Sequence, residues 1–320
     1  MIKILANDGI EPSAKAALEK EGYEVITQKI PQEELPKRIN EFDALTVRSA
    51  TKVRKPLVDV ITRTKLIIRG GVGVDNIDVE YAQSKGITVK NTPRASSLSV
   101  AELVFAHLFG AIRFLPDSNR QMPVNGISQF NELKKNYSGG TELRGKTLGL
   151  LGFGNIGQET AKIALGIGMN VKACDPFVKE AALKILIAGE EVEIVIATVS
   201  KEELLYASDF ISIHAAGSQE VLTAEDFSVM KTGVGIINCA RGGLVKESVM
   251  IENLDSGKVA FAGLDVYEEE PTKNSLLLNH PKVSLTPHIG ASTKEAQERI
   301  GKEIVEIIMG FFKKTEDSRM

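Results

Sequence analysis

Three side chains in the second half of the chain have the types and settings that carbonyl chemistry needs: Arg241, Glu270 and His288. Arg241 follows the strand-like run Ile-Ile-Asn-Cys-Ala240 and precedes Gly242-Gly243. His288 lies in Leu285-Thr-Pro287-His-Ile-Gly290. Glu270 follows Gly263-Leu-Asp265-Val-Tyr-Glu-Glu and precedes Pro271, which forces an extended backbone at Glu270. A fork-shaped guanidinium can hold an α-carboxylate in a bidentate grip. A histidine can protonate an oxygen as hydride arrives on the neighbouring carbon, and take that proton back in reverse. A carboxylate beside the histidine stabilises its charged form and orients the ring. Singly, each has a plainer reading: a solvated arginine, the last of three surface glutamates, a strand-end histidine. Their shared placement at strand ends, beside the motif described next, points to a reaction centre.

That motif is Thr147-Leu-Gly-Leu-Leu-Gly-Phe-Gly-Asn-Ile-Gly157, answered by Asp175. It reads as an apolar strand, then Gly152-x-Gly154-x-x-Gly157 opening a helix, then a second strand ending Asn170-Val-Lys-Ala-Cys-Asp175. Gly152 suits the tight turn, Gly154 lets the backbone approach a pyrophosphate, and Gly157 lets the helix pack on the strand. The helix N-terminus supplies N–H groups for the anion, and Asp175 is placed to hydrogen-bond ribose hydroxyls. The charge of Asp175 repels a 2′-phosphate, and the following Pro176-Phe177 offers no arginine. The expected cofactor is therefore NAD rather than NADP. A glycine triplet alone arises by chance in loops; both strands, the helix and Asp175 in register are what carry the reading.

A chain of 320 residues makes about two domains. A hydrophobic fraction of 43% and a charged fraction of 25% are ordinary for a globular protein. A net charge of −3 gives no reason to expect nucleic acid or a membrane surface as partner. Cys174 and Cys239 read as buried thiols of a cytoplasmic protein rather than a disulfide framework. Met1-Ile-Lys-Ile-Leu-Ala runs straight into a strand, with no signal-peptide pattern. The apolar stretch Leu98–Leu115 is interrupted by Glu102, His107 and Arg113, which suits a buried or interface helix rather than a membrane span.

Strand-like and helical runs alternate over residues 1–92, which predicts a parallel sheet covered on both faces. The strands expected are Ile2–Ala6, Glu24–Thr27, Ala44–Val47, Leu66–Ile68 and Ile87–Val89, with helices such as Ser13–Lys20 and Gln32–Asn40. The glycine loop Arg69-Gly-Gly-Val-Gly-Val-Asp75 follows the fourth strand, at the end where open parallel sheets bind ligands. Ser99-x-x-Glu102 predicts a capping box opening a helix apolar almost all round, and residues 116–141 read as an irregular arm. The second domain is expected to use strands Thr147–Leu151, Val171–Asp175, Val192–Val199, Phe210–His214, Val234–Ala240, Ala260–Val266 and Val283–Thr286. Ser292-x-x-Glu295 predicts the cap of a terminal amphipathic helix that returns to the first domain. The expected fold is α/β: two doubly wound parallel-sheet domains, a Rossmann NAD-binding domain (97–290) inserted into a flavodoxin-like substrate domain (1–96 and 291–320).

The other histidines attract less chemistry. His107 reads as a satisfied core or interface residue, His280 as a loop residue with no visible partner, and His214 as a strand end on the cofactor rim. No cluster has metal-ligand spacing, so no metal is expected.

Together these motifs resemble the NAD-dependent D-2-hydroxyacid dehydrogenases over nearly the whole chain. The resemblance rests on Val47-Arg48-Ser-Ala-Thr-Lys52, Arg69-Gly-Gly-Val-Gly-Val-Asp75-Asn-Ile-Asp78, Asn91-Thr-Pro…Ser99-Val-Ala-Glu-Leu103, the fingerprint, Asn238-Cys-Ala-Arg-Gly-Gly243, Gly263-Leu-Asp-Val266…Glu-Pro271, and Thr286-Pro-His-Ile-Gly-Ala-Ser292. It implies that Arg241, Glu270 and His288 are catalytic, and that Asn155 and Ile156 lie against the pyrophosphate. It also implies that His214, Ala215, Cys239, Ala240, Arg241, Asp265, His288, Gly290 and Ala291 line the cofactor, toward its nicotinamide end. Gly71, Val72, Gly73 and Val74 would bind a substrate carboxylate through backbone N–H groups. The Arg-Ser-Ala-Thr-Lys and Ser-Val-Ala-Glu-Leu elements lean toward members that oxidise 3-phosphoglycerate, with Arg48 and Arg69 for the phosphate. Glyoxylate or hydroxypyruvate reduction, and an NAD-sensing corepressor role, stay open beside it. A homodimer is expected from the apolar helix and the resemblance. The chain departs from the pattern at Ala215-Ala216-Gly217, where a proline is usual, and at 178–199, and it stops at Met320 without a serine-binding regulatory domain.

Overall fold

The computed structural model describes residues 1–217 and 219–317, with residues 314–317 described by backbone alone. Contacts divide the chain into two compact units, Met1–Ser96 with the segment from Ala291 onward, and Ser97–Gly290.

In the first unit, β1 (Lys3–Ala6), β2 (Glu24–Ile26), β3 (Ala44–Val47), β4 (Leu66–Arg69) and β5 (Thr88–Asn91) form a parallel sheet in the order β2-β1-β3-β4-β5. That is the flavodoxin-like order, in which ligands meet the carboxyl ends of the strands. Strand residues such as Ile4, Leu5, Leu45, Ile67 and Ile68 are fully buried because both sheet faces are covered. One cover is the terminal helix Lys294–Asp317, whose Ile300, Ile304 and Ile308 recur every fourth residue and pack with Ile4, Ala6 and Ile68. Its expected cap is displaced by one residue: Thr293 Oγ1, not Ser292, accepts the Ala296 N–H at 3.2 Å. The run expected to be helical from Gln32 begins only at Leu35, because Pro36 is tolerated solely in a first turn.

In the second unit, β6 (Thr147–Leu151), β7 (Asn170–Cys174), β10 (Phe210–Ile213), β11 (Val234–Asn238), β12 (Val259–Leu264) and β13 (Val283–Leu285) form a parallel sheet in the order β13-β12-β11-β10-β6-β7. Residues 178–199 depart from expectation. Instead of adding Val192–Val199 to that sheet, they form an antiparallel hairpin of β8 (Glu180–Ile187) and β9 (Glu190–Ala197). Ala188 and Gly189 both have positive φ (51° and 92°), the backbone that a two-residue hairpin turn requires. Alternate residues Ala181, Leu183, Ile194 and Ile196 turn inward onto the fingerprint helix Asn155–Gly166.

Helix Ser97–Ile112 is buried on several sides, through Val100, Val104, Phe105, His107, Leu108 and Ile112. It starts two residues before the expected capping box, and Ser99 Oγ instead donates to the Gly290 carbonyl at 2.6 Å. Residues 116–141, expected to be irregular, contain helices Leu115–Asn125 and Phe130–Asn136. Leu133 is their one buried residue, so neither leaves the apolar period by which helices are recognised. Among the described residues no single helix is long and apolar enough to cross a membrane.

Candidate active site

The fingerprint turn is built as its glycines require. Gly152 adopts φ 100°, and a Cβ there would stand 2.6 Å from the carbonyl carbon of His214, so β6 can meet the end of β10 only through a glycine. Gly154 faces open space, and it precedes the helix with no side-chain cap hydrogen bond. The first turn of the helix, with Asn155 exposed and Ile156 half-buried, is a ready anion cradle. Asp175 directly follows β7 with its carboxylate already engaged: Oδ2 accepts from Phe153 N at 2.7 Å, and Oδ1 from Phe177 N at 2.8 Å and Val178 N at 3.0 Å. Partial burial raises its pKa, and the three N–H donors more than offset this, so it lies below the usual value. A carboxylate offers about four lone-pair sites, so one acceptor position is left for a hydroxyl. These features fit an NAD pyrophosphate and ribose.

At the other end of the same sheet edge, His288 Nδ1 and Glu270 Oε2 stand 2.7 Å apart, both side chains partly exposed. They line a cavity of about 450 Å³ with Tyr267, Pro271, Thr272, Leu278, Leu285, Thr286 and Pro287. Glu270 is also tied back by the Tyr267 N–H at 3.3 Å. His288 has φ 55°, the left-handed region that side chains rarely adopt. Asp265, buried at the end of β12, holds that turn: Oδ1 accepts from Ile289 N and Oδ2 from Gly290 N, each at 2.8 Å. Strained backbone kept by surrounding bonds is a mark of functional sites.

Arg241 leaves β11 on a turn clamped by Asn238, whose Nδ2 donates to the Arg241 carbonyl at 2.8 Å and whose Oδ1 accepts from Ala240 N at 3.0 Å. The next residue must be glycine, since a Cβ on Gly242 would fall 1.7 Å from the Tyr267 carbonyl oxygen. The backbone carrying Arg241 is thereby pressed against the segment leading to Glu270. The Arg241 guanidinium donates to the Ala240 carbonyl at 2.6 Å. Cys239 and Ala240 are buried, and burial plus the charge of Asp265 pushes the Cys239 thiol well above its usual pKa. Cys174, expected to be buried, is only half-buried.

His214 and Ala215 follow β10 beside Gly152. His214 Nε2 pairs with Ser212 Oγ at 2.9 Å, and its Nδ1 is shut from solvent without a partner among the described residues. Burial lowers its pKa to about 3. His280, read as partnerless, has Nε2 3.3 Å from Asp255 Oδ1. Among the described residues no group could hold a metal ion.

The expected substrate residues lie in the first unit. Arg48 and Arg69 stand at the ends of β3 and β4 and are half-buried. Asp8 pins the Arg48 loop, accepting from Arg48 N at 2.7 Å and Thr51 N at 3.0 Å, and the Arg48 guanidinium donates to Gln297. Arg69 folds over Gly71, with Nη1 3.4 Å from the Gly70 carbonyl. The Gly71–Val74 loop is tied by Asn91 Nδ2 to the Val72 carbonyl at 2.6 Å. Ala291 also falls in the first unit. The supporting residues Asn238, Tyr267 and Thr286 were not singled out for roles from the sequence; their adjacency to Arg241, Glu270 and His288 was the available signal.

His288→Ala is expected to lower kcat by about a hundredfold or more, the range of a lost general acid–base, while NADH titrated by fluorescence binds nearly as before. Equal loss of both would remove His288 from the proton-transfer role. His214 gives a stability prediction. Its folded pKa of about 3 lies below the usual 6.5, so between those values the unfolded chain binds more protons and stability falls as pH falls. In urea unfolding from pH 6.5 to 5, His214→Gln should remove a contribution to the pH slope that approaches about 1.4 kcal/mol per pH unit. An unchanged slope in that variant would contradict the enclosure of this ring.

Comparison with known proteins gives the family. Residues 105–290 match the family profile described as "D-isomer specific 2-hydroxyacid dehydrogenase, NAD binding domain". The chain is similar to a hydroxypyruvate reductase of Thermotoga maritima, 42% identical, covering 96% of this chain and 97% of the relative. It is also similar to a D-3-phosphoglycerate dehydrogenase of Bacillus subtilis, 38% identical, covering 97% of this chain but 56% of that protein. Among solved structures, D-lactate dehydrogenase from Aquifex aeolicus, complexed with NAD and lactic acid, superposes with a TM-score of 0.78 at 28% identity, covering 98% of this chain and 96% of that one. The chain belongs to the D-isomer-specific 2-hydroxyacid dehydrogenases and is an NAD-dependent enzyme of that family.

Proposed function

We propose that this enzyme interconverts D-3-phosphoglycerate and 3-phosphohydroxypyruvate, the first step of serine synthesis. The observation that carries the chemistry is the His288–Glu270 pair at 2.7 Å, on a turn at the carboxyl ends of the strands that hold the fingerprint. Arg241 clamps the α-carboxylate and the reacting oxygen, and His288 takes the hydroxyl proton in the oxidation and returns it in the reduction. Glu270 stabilises the imidazolium and fixes Nδ1, leaving Nε2 for substrate. When bound, NAD supplies the nicotinamide carbon that accepts the hydride from C2. Gly71, Val72, Gly73 and Val74 offer backbone N–H groups to the carboxylate. The phosphate preference rests on Arg48 and Arg69, two cations at the ends of neighbouring strands, which an unphosphorylated acid would not need.

A second reading, hydroxypyruvate or glyoxylate reduction, is favoured by the Thermotoga maritima relative, since the match spans 97% of that protein, whereas the chain spans about half the length of the phosphoglycerate dehydrogenases it resembles. We also propose a homodimer in the cytoplasm. Phe109, Leu115, Met122, Val124 and Phe130 on successive helices, and Ile127 in the turn between the last two, are exposed, an apolar surface suited to a second copy. Light scattering should give a mass of two chains, and a single-chain mass would overturn this.

The test of substrate measures NADH formation with D-3-phosphoglycerate, D-glycerate and D-lactate, and NADH consumption with the three corresponding 2-oxo acids and with glyoxylate. Turnover should favour the phosphorylated pair. Arg48→Ala and Arg69→Ala should each raise its KM about tenfold, the worth of one charge-assisted hydrogen bond, with smaller effects on unphosphorylated acids. Turnover of hydroxypyruvate or glyoxylate alone, indifferent to both substitutions, would replace this reading with the second.

A further inference from the structure

His107 is buried in helix Ser97–Ile112, yet both ring nitrogens are engaged, one by Ser284 in β13 and one by Thr286 just beyond it. Nδ1 lies 2.8 Å from Ser284 Oγ and Nε2 lies 3.0 Å from Thr286 Oγ1. Thr286 Oγ1 in turn lies 2.6 Å from Asp265 Oδ1, the oxygen that also receives the Ile289 N–H. The helix comes this close because residue 263 is glycine: a Cβ there would sit 2.7 Å from His107 Cβ.

The directions of these bonds follow from elimination. A carboxylate only accepts, so the Thr286 hydroxyl proton points to Asp265. The Thr286 oxygen is then left to accept, and it takes a proton from His107 Nε2–H. Burial keeps the ring on its neutral side, which makes Nδ1 the bare nitrogen that accepts from the Ser284 hydroxyl. Every member donates toward Asp265, and such chains strengthen bond by bond in a low-dielectric interior. Thr286 is itself fixed, its N–H donating to the Leu264 carbonyl at 2.9 Å and its carbonyl accepting from the Tyr267 hydroxyl at 2.8 Å.

We infer that Ser284, His107 and Thr286 form a directed hydrogen-bond relay onto Asp265, and that His107 and Thr286 are positioning residues which hold the 287–290 turn so that His288 keeps its left-handed backbone. The relay orients the carboxylate, the carboxylate orients two successive N–H groups, and those set the residue before them. The inference rests on the dehydrogenase reading of His288 and not on the phosphorylated substrate.

The experiment compares Thr286→Val, Thr286→Ser and His107→Phe with the unaltered full-length enzyme. Three quantities are read: kcat and KM with the 2-oxo acid reduced fastest, hydrogen–deuterium exchange at Ile289 and Gly290, and the ¹⁵N signals of the His107 ring. Thr286→Val should lower kcat about tenfold, the effect of one broken bond of this strength, with KM within about threefold. Exchange at the two amides should quicken by a similar factor, and Thr286→Ser should restore both. His107→Phe keeps an aromatic ring and loses both hydrogen-bonding nitrogens, and should lower kcat by about threefold. The ring signals should show a protonated Nε2 and a bare Nδ1. Unchanged kcat and exchange in Thr286→Val, or a serine variant as impaired as valine, would overturn the relay. Should Thr286→Val fail to fold, His107→Phe and the ring signals decide, and the opposite tautomer overturns it. If the unaltered enzyme reduces no 2-oxo acid, the dehydrogenase reading fails, while exchange and tautomer still judge whether the relay holds the turn.

Discussion

The candidate site depends on one strained residue. His288 sits at φ 55°, a backbone that costs a side-chain-bearing residue on the order of 1–3 kcal/mol, and its neighbours must supply that energy. Asp265 does so from below by accepting two successive N–H groups, and Pro287 limits the approach. The strain has a use. A histidine on regular strand backbone would alternate between the two sheet faces with its neighbours. The left-handed step instead lets the ring reach Glu270, which arrives from a different loop. A 2.7 Å contact between two partly exposed side chains would be worth little if either were free to rotate. It becomes a defined pair because both backbones are fixed before the side chains meet.

The same logic recurs around Arg241. Its turn is held by Asn238 on one side and by the close passage of Gly242 over Tyr267 on the other. Tyr267 is then shared: its backbone touches the Arg241 turn, its N–H reaches Glu270, and its hydroxyl reaches the Thr286 carbonyl just before the His288 turn. Burial first, and then the nearby Asp265 charge, push that hydroxyl up to about 12, so it remains a donor throughout the working pH range. One aromatic residue thus touches the supports of all three chemical groups.

Much of this was legible in the sequence because the informative residues are ones whose chemistry is local. Glycines at 152 and 157, an acid at the end of β7, and polar residues straight after apolar runs declare themselves wherever the strands go. The two sheets were legible for a related reason: strands buried on both faces leave continuous apolar runs, and helices between them leave a different period. Where expectation failed, the deciding contacts were tertiary. Ser99 matched a capping pattern but spends its hydroxyl on Gly290, far along the chain. The helices within 115–136 bury almost nothing in this chain, so their sequence carries no inward stripe. His107 is the satisfied core residue its setting suggests, but nothing in its own helix reveals that Ser284 and Thr286 are the partners that satisfy it.

The hairpin Glu180–Ala197 shows how an unexpected element can leave a site intact. In a doubly wound sheet a crossover helix would cover the face beyond β7; here two strands do so. Their inward residues supply the apolar contacts that the helix Asn155–Gly166 needs on that side, and the single bridge between Ala173 and Thr198 ties the return to the sheet edge. What must be conserved for the fingerprint is the burial of one helix face and the position of Asp175. The hairpin provides both, since the turn entering it begins with the Phe177 and Val178 N–H groups that grip the Asp175 carboxylate. The cofactor end of the domain therefore constrains what lies beneath and beside it, and leaves the outward face of the hairpin, with Val195 and Leu186 exposed, unconstrained by the fingerprint.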